Sequence, residues 1–475
     1  MIASTEKNIL VISDLHLGED LRPAGAQMSY LRRVAQLERE LESFLHHYCS
    51  HRIDEKPWRL VVNGDMVDFM SMLVLPESGE TSSDEDERLY GLGFSERAAQ
   101  KKLERVIVRH PAVFRQLAEF VQRGNELVIV IGNHDAEFHY ESVQTTFRQW
   151  LCALAHGAGA DEPVQQEYLA RVRFCPWFFY EENLVYIEHG HQYDEYCSFD
   201  YQLHPVAAPK KGGVVEVALS LGNAGMRYFA NQIPSYDPRT AETWSVLNYL
   251  RWGWGIGLGG AARCFYLYSL LIWRLVEAAY QIADRKVDAT RRELHNDRLR
   301  TLSSEWRIAE EKLRSLDALR RAPITRRVIG ILFALFVDRL MLGGLMLALM
   351  AVLFFTQTGT NRLLALLPPL VFGLLNQILN RHRLEKCAAK LRAMPRRIFE
   401  LIRAPLVVFG HSHEPERVVA NDVVYFNTGS WADEYGGKRF THLRVLRRAS
   451  GNEVELCAWE NGSSMPFLHH PLPIK

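Results

Sequence analysis

Five short clusters of His, Asp and Asn, in a fixed order and each following an apolar run of strand length, constrain this 475-residue chain more than any other feature. They are ISDLHLG with Asp14 and His16, VNGDMVD with Asp65 and Asp68, IGNHD with Asn133, His134 and Asp135, EHGH with His189 and His191, and FGHSH with His411 and His413. The runs ahead of them, ILVIS, RLVVN, ELVIVI, NLVYI and PLVVF, are rich in β-branched residues and read as strands. In open α/β sheets, ligands gather beyond the carboxyl ends of the strands. Oxygen donors mixed with imidazole suit a divalent first-row ion, Mn, Fe or Zn, and the donors here are numerous enough for two ions.

D-x-H, G-D-x-x-D, G-N-H-D, H-G and G-H-x-H in this order resemble the calcineurin-like metallophosphoesterases, over residues 7–200 and 401–460. The resemblance implies an α/β fold, a four-layer αββα sandwich of two sheets flanked by helices, with a dinuclear site at the sheet ends. It implies that Asp14, His16 and His413 hold one metal, that Asn133, His189 and His411 hold the other, and that Asp65 bridges them. The family's ligand is the His before Gly, which favours His189 over His191. A bridging carboxylate keeps two ions about 3.5 to 4 Å apart, so both can polarise one phosphoryl group and one water whose pKa falls from about 15.7 towards 7. His134 is kept off the metals in that pattern and aimed at the phosphate and leaving oxygen, with Asp135 orienting it. Proton donation at that point is worth about 10² to 10⁴ in rate. His46, His47, His51, His110 and His156 lie outside the motifs and read as ordinary helix or loop residues.

Lys and Arg total 56 and so do Asp and Glu, so no overall basic charge supports a nucleic-acid partner. The seven cysteines are scattered, odd in number and without C-x-x-C, which argues against a disulfide framework. Met1 to Lys7 leads straight into the first strand and leaves no room for a signal peptide, so the catalytic part is expected in the cytoplasm.

Leu31 to Tyr48 and Arg97 to Val121 carry helical periodicity and fit helices covering a sheet. Pro76 to Glu87 is acidic and poor in apolar residues, and reads as a solvated loop. The expected organisation is a metallophosphoesterase domain in two parts, 1–200 and 401–475, interrupted by a helical insertion, 201–400. Within that insertion lie a Gly/aromatic stretch, Trp252 to Trp273, and a charged run with an apolar stripe of Leu299, Leu302, Trp306, Ala309, Leu313 and Leu316. Neither carries a catalytic signature, and the stripe reads as ordinary helix packing.

Two apolar stretches follow, Val328 to Phe355 and Leu363 to Leu379, making an apolar hairpin over 328–379. Asp338 and Arg339 leave an uncharged run of about 25 Å as helix, short of the roughly 30 Å hydrocarbon core. Arg320, Arg321, Arg326 and Arg327 precede the pair, Arg381, Arg383 and Lys386 follow it, and only Arg362 lies in the turn. That asymmetry fits a hairpin with both ends on the cytoplasmic side. The sequence thus points to a dinuclear metal-dependent phosphoesterase, anchored on the cytoplasmic face of a membrane, cleaving a phosphodiester or pyrophosphate bond of a membrane-associated or amphiphilic phosphorylated substrate, of which a lipid-linked one is an example. In layout it is similar to the UDP-diacylglucosamine pyrophosphatases. The alternatives are a nuclease or nucleotide phosphodiesterase with a soluble helical cap, and a membrane scaffold or sensor that keeps a metal site. Nothing in the sequence sets an oligomeric state.

Overall fold

All five apolar runs form strands in the computed structural model, which describes the chain apart from residues 1–5, 24–27, 78–84, 158, 160, 210–212, 238–245, 382–386, 421, 435–438, 450, 468–471 and 475. In chain order they are β1 (Asn8–Ile12), β2 (Trp58–Asn63), β3 (Glu126–Val130), then, after β4 (Val172–Cys175) and β5 (Phe178–Glu181), β6 (Val185–Glu188) and β7 (Leu406–Phe409). The rest are β8 (Glu416–Ala420), β9 (Val423–Asn427), β10 (Thr441–Arg448), β11 (Gly451–Glu460), β12 (Ser463–Pro466) and β13 (Leu472–Ile474). One sheet runs β12-β11-β10-β1-β2-β3-β4 with β13 beside β11, and the second runs β5-β6-β7-β9-β8. β1 to β4 are parallel, as are β6, β7 and β9, so their carboxyl ends lie together within each sheet.

Both faces of the parallel strands are buried, which is why their sequences show no polar alternation. Ile9, Val11, Val61, Val128 and Val130 form an inner core with Val185, Ile187, Leu406 and Val408 of the second sheet. The opposite pleat, with Leu10, Ile12, Leu60, Val62, Leu127 and Ile129, packs under helices. These are α1 (Met28–Ser50), α3 (Glu96–Arg109), α4 (Pro111–Gln122), α5 (Glu141–His156) and α6 (Glu162–Leu169), while the short α2 (Glu85–Tyr90) lies between α1 and α3 in the acidic region. Most of that acidic loop, 78–84, lies outside the described residues. The periodic run Arg97 to Val121 is two helices, because Pro111 has no N–H to continue the first and sits at the first turn of the second.

The fourth layer comes from the segment expected to be a separate insertion. After α7 (Leu221–Tyr228) and α8 (Val246–Ile282), the chain forms α9 (Arg285–Trp306) and α10 (Glu310–Asp317), split where Arg307 turns left-handed. Leu299, Leu302, Leu313 and Leu316 from these helices are buried against Tyr186, Val407 and Tyr425 of the second sheet. α14 (Cys387–Arg392) and α15 (Pro395–Ile402) complete the layer with Leu391, Ile398 and Ile402. Each fully buried leucine contributes about 1.5 to 3 kcal/mol, so this stripe is part of what closes the sandwich rather than a surface ornament.

The apolar remainder divides differently from the sequence expectation. Among the described residues, two helices are long and apolar enough to cross a bilayer: residues 251–282 of α8, and α12 (Val337–Thr356). Only 11% and 6% of their most apolar windows are buried. α8 contains the Gly/aromatic stretch, which the sequence reading left without a membrane role. Its Trp254 and Leu258 are 91% exposed, and it bends at Gly257, whose φ of 64° and ψ of −176° suit a residue without a Cβ. The first stretch of the expected hairpin breaks at Phe336: α11 (Val328–Ala334) buries Ile331 against Leu267, Leu271 and Leu275 of α8, and α12 starts afresh. Asp338 and Arg339 fall inside the first turn of α12, so its 20 residues reach about 30 Å, longer than the uncharged run alone. The second stretch passes through a 3₁₀ segment, Gly359–Leu366, into α13 (Leu367–Arg381), whose Phe372 ring lies 3.6 Å from the position a Cβ on Gly343 would take. Arg383 and Lys386 of the cationic flank lie outside the described residues.

Candidate metal centre

Each of the five clusters sits immediately beyond a strand: Asp14 after β1, Asp65 after β2, Asn133 after β3, His189 after β6 and His411 after β7. Both sheets therefore deliver donors to one edge of the sandwich. The turns are tight. Asp14, His16, Asp65, His411 and His413 all have positive φ, between 49° and 64°, a backbone region that non-glycine residues rarely occupy unless their surroundings enforce it. The neighbouring glycines make room: a Cβ on Gly64 would strike the His189 ring, and one on Gly132 would strike the Asp65 carboxylate.

The structure brings Asp14, His16 and His413 together as one group of potential donors, and Asp65, His189 and His411 as another, with the donor atoms of each within 4.8 Å of one another. Asp65 also groups with His16 and His134, which places it between the two sets. His413 Nε2 lies 3.1 Å from Asp14 Oδ1 and 3.4 Å from His16 Nε2. His189 Nε2 lies 3.2 Å from both Asp65 Oδ2 and Asn133 Oδ1, while its Nδ1 donates to the Asn63 carbonyl at 2.8 Å. That hydrogen bond leaves the Nε2 lone pair aimed at the cluster. His191 is buried beside His189, with ring centroids 5.5 Å apart, but its Nε2 is engaged by the Gln192 amide at 2.6 Å.

Two convergent imidazole nitrogens, two buried carboxylates and an Asp14 Oδ1 that accepts no hydrogen bond are costly to hold together in apolar surroundings. A pair of divalent cations satisfies all of them, and the mixture of oxygen and nitrogen donors fits first-row metals. Burial by itself would push the Asp65 carboxyl up; the charges of His189 and His134 outweigh it and hold the group well below the ordinary carboxylate range.

Several residues that tune the cluster carry no role in the sequence reading. Asp68 faces His134 Nδ1 at 2.9 Å and His16 Nδ1 at 3.3 Å, so one carboxylate orients both rings. Burial lowers the His134 pKa, but the charges of Asp68 and Asp65 prevail and push it up to about 9. Asp433 takes His413 Nδ1 at 2.6 Å, and Asp194 lies 3.5 Å from His411 Nε2. Asp68 is visible in G-D-x-x-D, whereas Asp433 and Asp194 have no spacing signal. Asp135 does not orient His134, contrary to the sequence expectation. Its two oxygens accept the backbone N–H groups of Gly132 at 2.6 Å and Met66 at 2.8 Å, clasping the second and third clusters together. Glu188 is a comparable buttress at the end of β6, accepting from Trp177, Tyr186 and Tyr193.

A four-layer αββα sandwich with carboxylates and imidazoles converging on one edge defines a metal-dependent hydrolase. The chain is matched over residues 7–236 by the calcineurin-like phosphoesterase family model. It is a metal-dependent phosphoesterase with clusters suited to divalent ions. No curated protein matches the chain.

Proposed function

We propose that this phosphoesterase hydrolyses a phosphodiester or pyrophosphate bond in an amphiphilic substrate held in a membrane, from the cytoplasmic side. The observation that carries the proposal is the pair of long apolar helices, α8 and α12, left 11% and 6% buried on the same chain as the His/Asp cluster. In a soluble cap those surfaces would be covered, and contiguous apolar area of that extent otherwise marks a membrane or partner contact. Arg320, Arg321, Arg326 and Arg327 before the apolar part, and a nearly neutral turn, favour both ends on the cytoplasmic side.

In this reading Asp14, His16 and His413 would hold one divalent ion and Asn133, His189 and His411 the other, with Asp65 available to both. Bound ions of this kind supply Lewis acidity and a water acidified to near neutrality. The protein supplies position and a proton. His189 is fixed by the Asn63 carbonyl and His413 by Asp433, so their coordinating nitrogens are set before substrate arrives. His134, with a side chain 24% exposed and its Nδ1 braced by Asp68, holds a proton and delivers it to the departing oxygen.

The test is metal analysis of the full chain together with turnover of a p-nitrophenyl phosphomonoester, a phosphodiester and a lipid-linked pyrophosphate, with and without Mn, Fe or Zn. Two bound ions and preference for the lipid-linked substrate are expected. Equal rates on soluble and lipid-linked substrates would reject the amphiphile, and full-length protein soluble without detergent would reject the membrane.

A further inference from the structure

A cavity of about 810 Å³ opens between α2, residues 207–209 and 216–219, the inner side of α8 and the start of α9, and none of its lining residues belongs to the metal cluster. That volume is in the range of small-molecule sites. Leu89, Leu219, Leu270, Ile282 and Val287 give it an apolar wall, and Arg291 lines it from α9. Arg291 is only 4% exposed and lies over the Tyr201 ring, with its guanidinium carbon 5.3 Å from the centroid, yet its Nε and Nη2 donate no hydrogen bond. Of the carboxylates that act on it, Asp288 takes Arg292 at 2.7 Å, and Asp200, whose Oδ1 accepts no hydrogen bond, lies 3.6 Å from Arg326 and faces the charges of both Arg291 and Arg326. On the α8 side, Asp86 is paired with Arg274 and accepts the Tyr228 hydroxyl at 2.8 Å. Glu85, Glu216 and, beside Arg274, Glu277 also line the cavity, so anion recognition is confined to the α9 wall. A buried guanidinium with free donors is matched by a tetrahedral or planar anion that accepts several N–H groups at once.

We propose that this cavity binds an anionic amphiphile drawn from the bilayer, its head group on Arg291 and one alkyl chain along Leu270, Leu219 and Leu89. The bilayer is the source because one wall of the cavity is α8, the helix whose other side exposes Phe265 and Trp273. The inference rests on the membrane reading of α8, but its test needs no turnover, so it fails or stands separately from the phosphoesterase reading.

The full chain, reconstituted in lipid nanodiscs whose bilayer contains a hexadecyl sulfonate with a terminal diazirine, is irradiated and the cross-linked peptides are mapped. Labelling is expected on the peptides carrying Leu89 and Leu219, which line the cavity from elements other than α8, and excess unlabelled sulfonate should compete with it. Leu270→Trp, which fills the cavity, and Arg291→Met, which keeps the stem but not the charge, should each cut that labelling about tenfold or more. Ala218→Trp is a second filler, and turnover of bis-p-nitrophenyl phosphate by each variant reports that it has folded. Labelling confined to outward positions such as Trp273 and Phe355, or labelling at Leu89 and Leu219 that folded Leu270→Trp leaves unchanged, would overturn the proposal.

Discussion

Asp65 is the residue on which the two donor groups converge, and its carboxylate is wholly enclosed, accepting the His134 backbone N–H at 2.9 Å as well as facing His189. Asp65→Asn keeps the shape and removes the charge, so turnover should fall by about 10³ or more and at least one ion should be lost. Near-normal turnover with two ions retained would sink the bridging role. His134 makes a different prediction. His134→Ala should keep both ions and lose about 10² to 10⁴ in kcat, most with poor leaving groups. Asp68→Asn should lose about 10 to 100-fold, because the ring is left without its brace. The two act as a unit, so the double variant should be no slower than His134→Ala alone. Fully additive losses would separate Asp68 from His134 and leave it serving His16.

At the scale of elements, β10 illustrates how a buried imidazole ties helix to sheet. His442 on β10 donates from Nδ1 towards the Phe440 carbonyl and accepts on Nε2 from Ser464 of β12 at 2.9 Å, and Ser464 is bonded in turn to Tyr48 of α1 at 2.7 Å. Both ring nitrogens are satisfied by a neutral imidazole. Burial, with the charges of Arg444 and His47, brings its pKa down to about 3. The unfolded state therefore binds a proton between about pH 6.5 and 3 that the folded state refuses, and stability falls as pH drops through that window. His442→Gln should flatten the dependence by about 1.4 kcal/mol per pH unit there, read from unfolding midpoints across the pH series. A slope unchanged by the substitution would show that His442 is already protonated in the fold.

On the scale of the whole molecule, the sandwich and the apolar helices are joined through α8 and not only through the hairpin. Deleting 337–381 with a flexible linker should leave both donor groups intact and turnover of a small phosphodiester within a few fold of wild type. The shortened chain should still sediment with membranes through α8, as tested by carbonate washing. A cut at 328 instead removes Ile331 from its packing against Leu267, Leu271 and Leu275, and should cost about 2 to 5 kcal/mol in that region. A fully soluble 337–381 deletion would place all membrane contact on the hairpin.

The amino-acid sequence by itself determined the five strands that lead into the clusters and the clusters themselves, because a parallel strand buried on both faces needs an uninterrupted apolar run and a metal donor needs a fixed residue type at its end. The αββα sandwich was legible through the family resemblance that those motifs carry. Tertiary structure alone decided which carboxylate braces which histidine. His16 and His413 meet across 397 residues, and Asp433 and Asp194 reach their rings through folds of the chain that no local spacing encodes. It also set which surface the stripe Leu299 to Leu316 covers, and left one face of α8 bare while burying Leu267, Leu271 and Leu275 against Ile331, because periodicity marks an apolar face but not the surface that covers it.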